Sequence, residues 1–181
     1  ASLFKKEGNA DSALIYYNKA LIDNPNNETA LLNMSEIYLQ KMRPDSAMMY
    51  LNRFLTFDPN DDNGNYFLAY CYLMQNNPQK AVEICENILQ HNYKYAGAYS
   101  ILKDIYLRQN NLFGAEQVML RMIDADQIDD YFVPQWVAIN KAQGLDERGA
   151  YIKLYKALVA SYEKRGKQKE AKIYKEYLEQ L

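Results

Sequence analysis

Few side chains in this 181-residue chain stand where they could do chemistry. The single histidine, His91, has no second histidine or cysteine pair at a metal-ligand spacing, so it reads as a surface or helix-end residue. Residues 58–64, Asp-Pro-Asn-Asp-Asp-Asn-Gly, offer the oxygen ligands of a calcium loop in outline. Their glycine falls one place late, and Ala69 stands where a bidentate glutamate is needed, so a helix-terminating turn is expected. Cys71 and Cys85 occupy apolar positions, which predicts buried thiols rather than nucleophiles. Glu83 and Glu86, three residues apart, predict a solvated helix face rather than an acid–base pair. Neither a glycine-rich phosphate loop nor a Gly-x-Ser-x-Gly elbow occurs. The basic stretch Lys164, Arg165, Lys167 and Lys169 is interrupted by acids such as Glu163 and Glu170, a poor match to a nucleic-acid patch. The residues thus predict no catalytic site, no cofactor and no metal.

Composition narrows the class further. Twenty-one basic against 23 acidic side chains, a formal charge of -2, argue against a generally basic nucleic-acid binder and against a polyacidic tail. With 49% hydrophobic and 13% aromatic residues the chain is too apolar for a disordered segment. Two cysteines make no disulfide framework. No apolar run approaches the ~18 residues of a membrane span. The opening residues carry neither a signal-peptide core nor an initiator methionine, so the chain reads as processed or excised.

The elements that must position any site announce themselves by a period. Pro25 and Pro59 lie 34 residues apart, as do Pro44 and Pro78. Ala13, Ala47, Ala81 and Ala115 keep the same step, and so do the aromatics Phe4, Tyr38, Tyr72 and Tyr106. Within each unit two amphipathic stripes follow one another: Leu31, Met34 and Tyr38, then Ala47, Leu51, Phe54 and Leu55. Asn77 before Pro78 predicts a capped second helix, because the amide accepts from an orphan N–H while proline gives up an N–H that lacked a partner. Asn24-Pro25 and Asp58-Pro59 close the units, since proline disfavours helical geometry in the residue before it. The recurring alanine lets paired helices approach, and the aromatic fills the space beside it.

These residues resemble the tetratricopeptide repeats. The run Gly8-Asn9-Ala10-Asp11-Ser12-Ala13-Leu14, continuing to Asn24-Pro25, is similar to the second half of one unit. Tyr162, Gly166, Ala171 and Leu178 are similar to another, and residues 28–61, 62–95 and 96–129 align as whole units between them. The resemblance implies an all-α, right-handed superhelical solenoid of antiparallel helix pairs in one domain: residues 1–27 a partial repeat, 130–151 an irregular repeat, and 152–181 a capping repeat. Two departures stand out. Met42, Asn76 and Asn110 replace the family's glycine late in the first helix, and Lys103 replaces a small residue.

One interval breaks the period. Ala115 to Ala171 spans 56 residues, 12 short of two repeats, which is about one helix. Residues 131–143, with Pro134 and Trp136, are therefore expected as one helix, and 146–165 as a single long helix serving two units, with Gly144 at the turn. About eleven helices are expected in all. Residues 1–140 carry 11 basic and 17 acidic side chains and 141–181 carry 10 and 6, so the last third should present its own surface. Lys172, Lys175 and Glu179 replace apolar residues of the internal units and predict a polar cap. The register puts Ala1 inside a first helix, so an upstream extension and an end near Leu181 are expected.

In the family, first helices line a concave groove. Carried over position by position, the resemblance implies a partner-binding set of Leu32, Glu36, Tyr66, Tyr70, Met74, Ser100, Asp104 and Arg108. The family's carboxylate clamp is missing, because Leu32, Glu36, Tyr66 and Tyr70 stand where its cations and amides belong. Tyr66 and Tyr70, four residues apart, share a face that differs from that of Tyr72, which is expected in the core. The implied function is a non-catalytic scaffold holding a peptide or helical segment of a protein partner, with no nucleic acid, no membrane span and a monomer favoured. The alternative is a sensory or regulatory segment of a longer bacterial regulator or cell-envelope lipoprotein, which would suit an extracytoplasmic, periplasmic setting.

Overall fold

The computed structural model of the chain describes residues 10–181, so the sequence-based expectations for Phe4, Gly8, Asn9 and the half-helix around them lie outside the described residues. Ten helices and no strand occur among the described residues. The eleventh expected helix falls on residues that are not described.

The chain divides into two compact units, Ala1–Asn92 and Tyr93–Leu181. In the first, α1 (Ala10–Asp23) packs on α2 (Glu28–Gln40), α2 pairs with α3 (Pro44–Phe54), and α4 (Asp62–Met74) pairs with α5 (Pro78–His91). Helix α4 also lies against α3 and α2. In the second, α6 (Ala96–Arg108) pairs with α7 (Leu112–Asp124), α8 (Phe132–Ala142) lies against α7 and α9 (Glu147–Lys164), and α9 pairs with α10 (Gln168–Gln180). The long α9 touches α7, α8 and α10, as expected of a helix that serves two units.

Local chemistry sets the helix ends. Asn27, Asp61, Asn77, Asn111 and Asp146 each accept a hydrogen bond from the backbone N–H three residues on, at 2.9, 2.6, 3.3, 2.8 and 2.7 Å, so that orphan donors of the first turn are satisfied. At the other ends, Met42, Asn76 and Asn110 adopt φ of 57°, 57° and 54°, and Gly166 adopts 73°. Their following N–H groups donate back to Tyr38, Tyr72, Tyr106 and Tyr162 at 2.8 to 2.9 Å, the wrap-around closure of a helix through one left-handed residue. Met42, Asn76 and Asn110 therefore fill the role of the family's glycine without being the residue best suited to it.

Packing follows from the small residues. Ala47, Ala81, Ala115 and Ala171 are buried. Gly64 is buried too, and a Cβ there would lie 2.8 Å from Leu55 and Phe54, so its lack of a side chain lets α4 approach the end of α3. Leu31, Met34, Tyr50 and Phe54 form one core, against which Leu14, Tyr17 and Leu21 of α1 pack. Leu39, Ala47, Leu51 and Cys71 form the next. Lys103, doubtful in sequence terms, is only 6% exposed and survives because its Nζ donates to Gln135 Oε1 of α8. Trp136 is fully buried and donates through Nε1 to the Ala150 carbonyl at 3.0 Å, so the irregular region uses it as a core pin rather than as surface. Lys172, Lys175 and Glu179 are all exposed on α10.

Candidate functional site

Five of the eight implied binding residues lie in the first unit, on the neighbouring helices α2 and α4. Capping by Asn27 and Asp61 sets the start of each helix and so the faces that its side chains share. Leu32 and Glu36 are half-buried, one turn apart on α2, and Tyr66, Tyr70 and Met74 are half-buried on successive turns of α4. Leu32, Tyr70 and Met74 pack their inner surfaces on the Leu39, Ala47, Leu51 and Cys71 core, which leaves their outer surfaces to solvent. The ring of Tyr66 lies 5.5 Å from that of Phe67, tilted by 49°. Gln40 Nε2 donates to Glu36 Oε1 at 3.4 Å, a long bond that leaves the carboxylate available to a cation. The other three, Ser100, Asp104 and Arg108, belong to the second unit, where they form an exposed polar stripe at four-residue intervals along α6.

One expectation requires correction. Tyr72 is not a core residue: it is half-buried like Tyr66 and Tyr70, and it lines an open cavity between α4 and α5. Its ring meets the Lys80 ammonium, 5.0 Å from the centroid. Tyr38, Tyr106 and Tyr162, at the same position of the other pairs, are half-buried as well, so this position lies at the edge of each hairpin rather than in its core.

The residues that first suggested chemistry are spent on structure. His91, at the end of α5, places Nε2 2.8 Å from Asp62 Oδ1, and Asn92 donates to the other oxygen of the same carboxylate at 2.5 Å. In the loop over residues 58–64, Asp61 caps α4 and Asp58 accepts from the Asn60 N–H at 3.0 Å, so each carboxylate faces its own local donor. Among the described residues no group of three or more His, Cys, Asp or Glu side chains is placed to hold a metal ion. Cys71 and Cys85 are fully buried, and burial pushes both thiols up to about 12, with Asp45 and Glu86 respectively adding repulsion. No helix among the described residues is long and apolar enough to cross a membrane.

Two groupings are not evident from the sequence pattern. Tyr151, Tyr155, Tyr162, Tyr174 and Tyr177 form a ring cluster across α9 and α10, with neighbouring centroids 5.6 to 5.9 Å apart. Their i, i+4, i+11 spacing on α9 is the one signal that points to it. Glu116 of α7, buried, pairs with Lys153 of α9 across the irregular segment, and no sequence signal joins residues so far apart.

Paired helices closed by left-handed caps, repeated at a 34-residue step, define a helical-repeat protein. Residues 5–69 match the family model described as Tetratricopeptide repeat, and residues 40–122 match that of Anaphase-promoting complex, cyclosome, subunit 3. Together the two matches span residues 5–122 and identify that stretch as tetratricopeptide repeats. Among solved structures, MamA is similar at 23% identity and a TM-score of 0.53, over 93% of this chain and 85% of that one. A tetratricopeptide repeat protein from Parabacteroides merdae is similar at 20% identity and a TM-score of 0.64, over 96% and 73% of the two chains. The APC/C hetero-tetramer Cut9-Hcn1 matches at 13% identity and a TM-score of 0.64, over 94% of this chain but 36% of that one. At these identities the likeness establishes the fold alone. No curated protein sequence matches the chain.

Proposed function

We propose that this protein is a non-catalytic scaffold whose first unit holds a segment of another protein along α2 and α4. Proteins of the family are in general interaction scaffolds. The observation that carries the reading is the pair Tyr66 and Tyr70, two large rings on one face of α4, both half-buried, beside Leu32 and Glu36 of the adjacent helix. Tyrosine suits this task because it offers rigid apolar area and a polar tip, with few rotors to freeze. Glu36 favours a partner segment that carries Lys or Arg next to an apolar side chain. Ser100, Asp104 and Arg108 are proposed as a second, polar contact stripe in the other unit. Neither nucleic acid nor metal enters this reading, and a monomer suffices for it.

The test is affinity capture from the source cell followed by binding measurements on variants. Tyr66→Ala or Tyr70→Ala should each cost about 1 to 3 kcal/mol of affinity for the captured partner. The double variant should abolish measurable binding while it keeps the helical circular dichroism of the parent. Full binding by a well-folded double variant would remove this face from consideration.

A further inference from the structure

A second site emerges when the hairpins are compared with one another. Tyr38 and Tyr50, twelve residues apart, stack with centroids 5.4 Å apart and planes within 7°. Tyr162 and Tyr174, again twelve apart, stack at 5.7 Å and 14°. Each first ring also meets a guanidinium, Arg43 at 5.6 Å and Arg165 at 4.8 Å. The α4–α5 hairpin keeps the ring, Tyr72, and brings a cation to it from a different position, Lys80, 5.0 Å away. The second ring is absent, because the residue twelve on is Ile84. The 34-residue step also puts Asn65 where Leu31 stands and Asn87 where Arg53 stands. The smaller side chains leave a cavity of about 340 Å³ bounded by Tyr72, Ile84 and Leu68, with Asn65, Asn87, Lys80 and Glu83 at its polar side. That volume lies at the small end of ligand sites and suits a single ring with its linker.

We propose that this cavity is a docking pocket for one aromatic side chain of a partner protein, which stacks on Tyr72 as Tyr50 stacks on Tyr38. The two self-filled hairpins show that this repeat geometry seats a second ring, and the third hairpin presents the same platform with its own ring removed. Tyrosine fits better than phenylalanine. Leu68 and Ile84 provide the apolar floor, whereas Asn65 has committed Nδ2 to the carbonyls of Pro59 and Asp61 at 2.8 and 3.0 Å, which leaves Oδ1 to accept from a phenol. The Lys80 ammonium is a donor on the same rim. A leucine would fill the space but forgo the stacking that aromatic pairs add beyond buried area. The pocket uses the Asn65, Leu68 and Tyr72 stripe of α4 together with α5, so it does not rest on the Tyr66 and Tyr70 reading.

The test is a methyl-detected NMR titration of the full chain with p-cresol, the tyrosine side chain cut at Cβ. A saturable upfield shift of the Ile84 δ-methyl is expected, with a dissociation constant of about 1 to 10 mM, ordinary for so small a ligand. N-acetyl-tyrosinamide should bind comparably, and 4-methylcyclohexanol, of similar shape without the ring electrons, about 3- to 10-fold more weakly. Ile84→Tyr should restore the missing ring, raise the melting temperature and abolish p-cresol binding. Tyr72→Leu, an independent probe should that variant not fold, should erase the preference of p-cresol over 4-methylcyclohexanol. The proposal is overturned by an unmoved Ile84 methyl, by equal binding of the two probes to the parent, or by p-cresol binding to folded Ile84→Tyr. Binding of p-cresol without N-acetyl-tyrosinamide would also overturn it, since a side chain must enter with its backbone outside.

Discussion

Replacing Met42 by glycine should stabilise the protein, although it removes a side chain and loosens the unfolded chain. Met42 sits at φ 57°, where an L-residue pays about 1 to 2 kcal/mol because Cβ crowds the following carbonyl. Glycine avoids that cost and loses about 0.5 to 1 kcal/mol of extra backbone entropy on folding. The methionine side chain is 66% exposed, so little apolar burial is forfeited. The closing hydrogen bonds, from Met42 N–H to Leu39 O and from Arg43 N–H to Tyr38 O, both 2.9 Å, involve backbone alone and persist. A net gain of about 0.5 to 1 kcal/mol follows, or a rise in Tm of about 1 to 3 °C for a chain of this size. Asn76→Gly, at the same φ of 57°, should gain only a few tenths of a kcal/mol, because asparagine tolerates this region. Gly166→Ala, at φ 73°, should lose about 1 kcal/mol. Urea unfolding followed by far-UV circular dichroism measures all three. If Met42→Gly destabilised the protein, or if Asn76→Gly gained more than Met42→Gly, the strain argument would be refuted.

Trp136→Phe should cost about 1 to 3 kcal/mol, because it removes the hydrogen bond to the Ala150 carbonyl and leaves unfilled space, and urea unfolding of the variant measures it. The carboxyl of Asp126 is held below its usual range chiefly by the hydrogen bond from Lys167. Its stabilising effect is therefore full above the unfolded value of 3.8 and is lost as pH falls through the lower folded value. Asp126→Asn should accordingly lower stability at neutral pH by under about 1 kcal/mol given its exposure, seen as a small fall in Tm, and leave Tm unchanged at the acid end of the titration. Cys71 and Cys85, buried and raised to about 12, should resist a thiol reagent at mildly alkaline pH and react only as fast as the chain opens. Prompt stoichiometric labelling of the native protein would contradict their burial.

What the chain determined by itself is whatever depends on near neighbours. A capping asparagine, a proline at the first helical position and an alanine at every 34th residue act within one or two turns, so helix ends, hairpins and even the long helix over Glu147–Lys164 are legible in the residues alone. Tyr66 and Tyr70 can be assigned a common face for the same reason, since helical spacing alone settles which residues share a side. Tyr72 cannot be placed that way. Its helical position matches that of Tyr38 and both are half-buried, but the cavity beside Tyr72 depends on what α5 presents across the hairpin, and there Ile84 stands in place of a second tyrosine. The same holds for Lys103, made tolerable by Gln135, and for Trp136, drawn inward by the Ala150 carbonyl. Only tertiary structure decided these three, because burial is a property of the space between elements, and one side chain cannot state how much of that space its neighbour will fill.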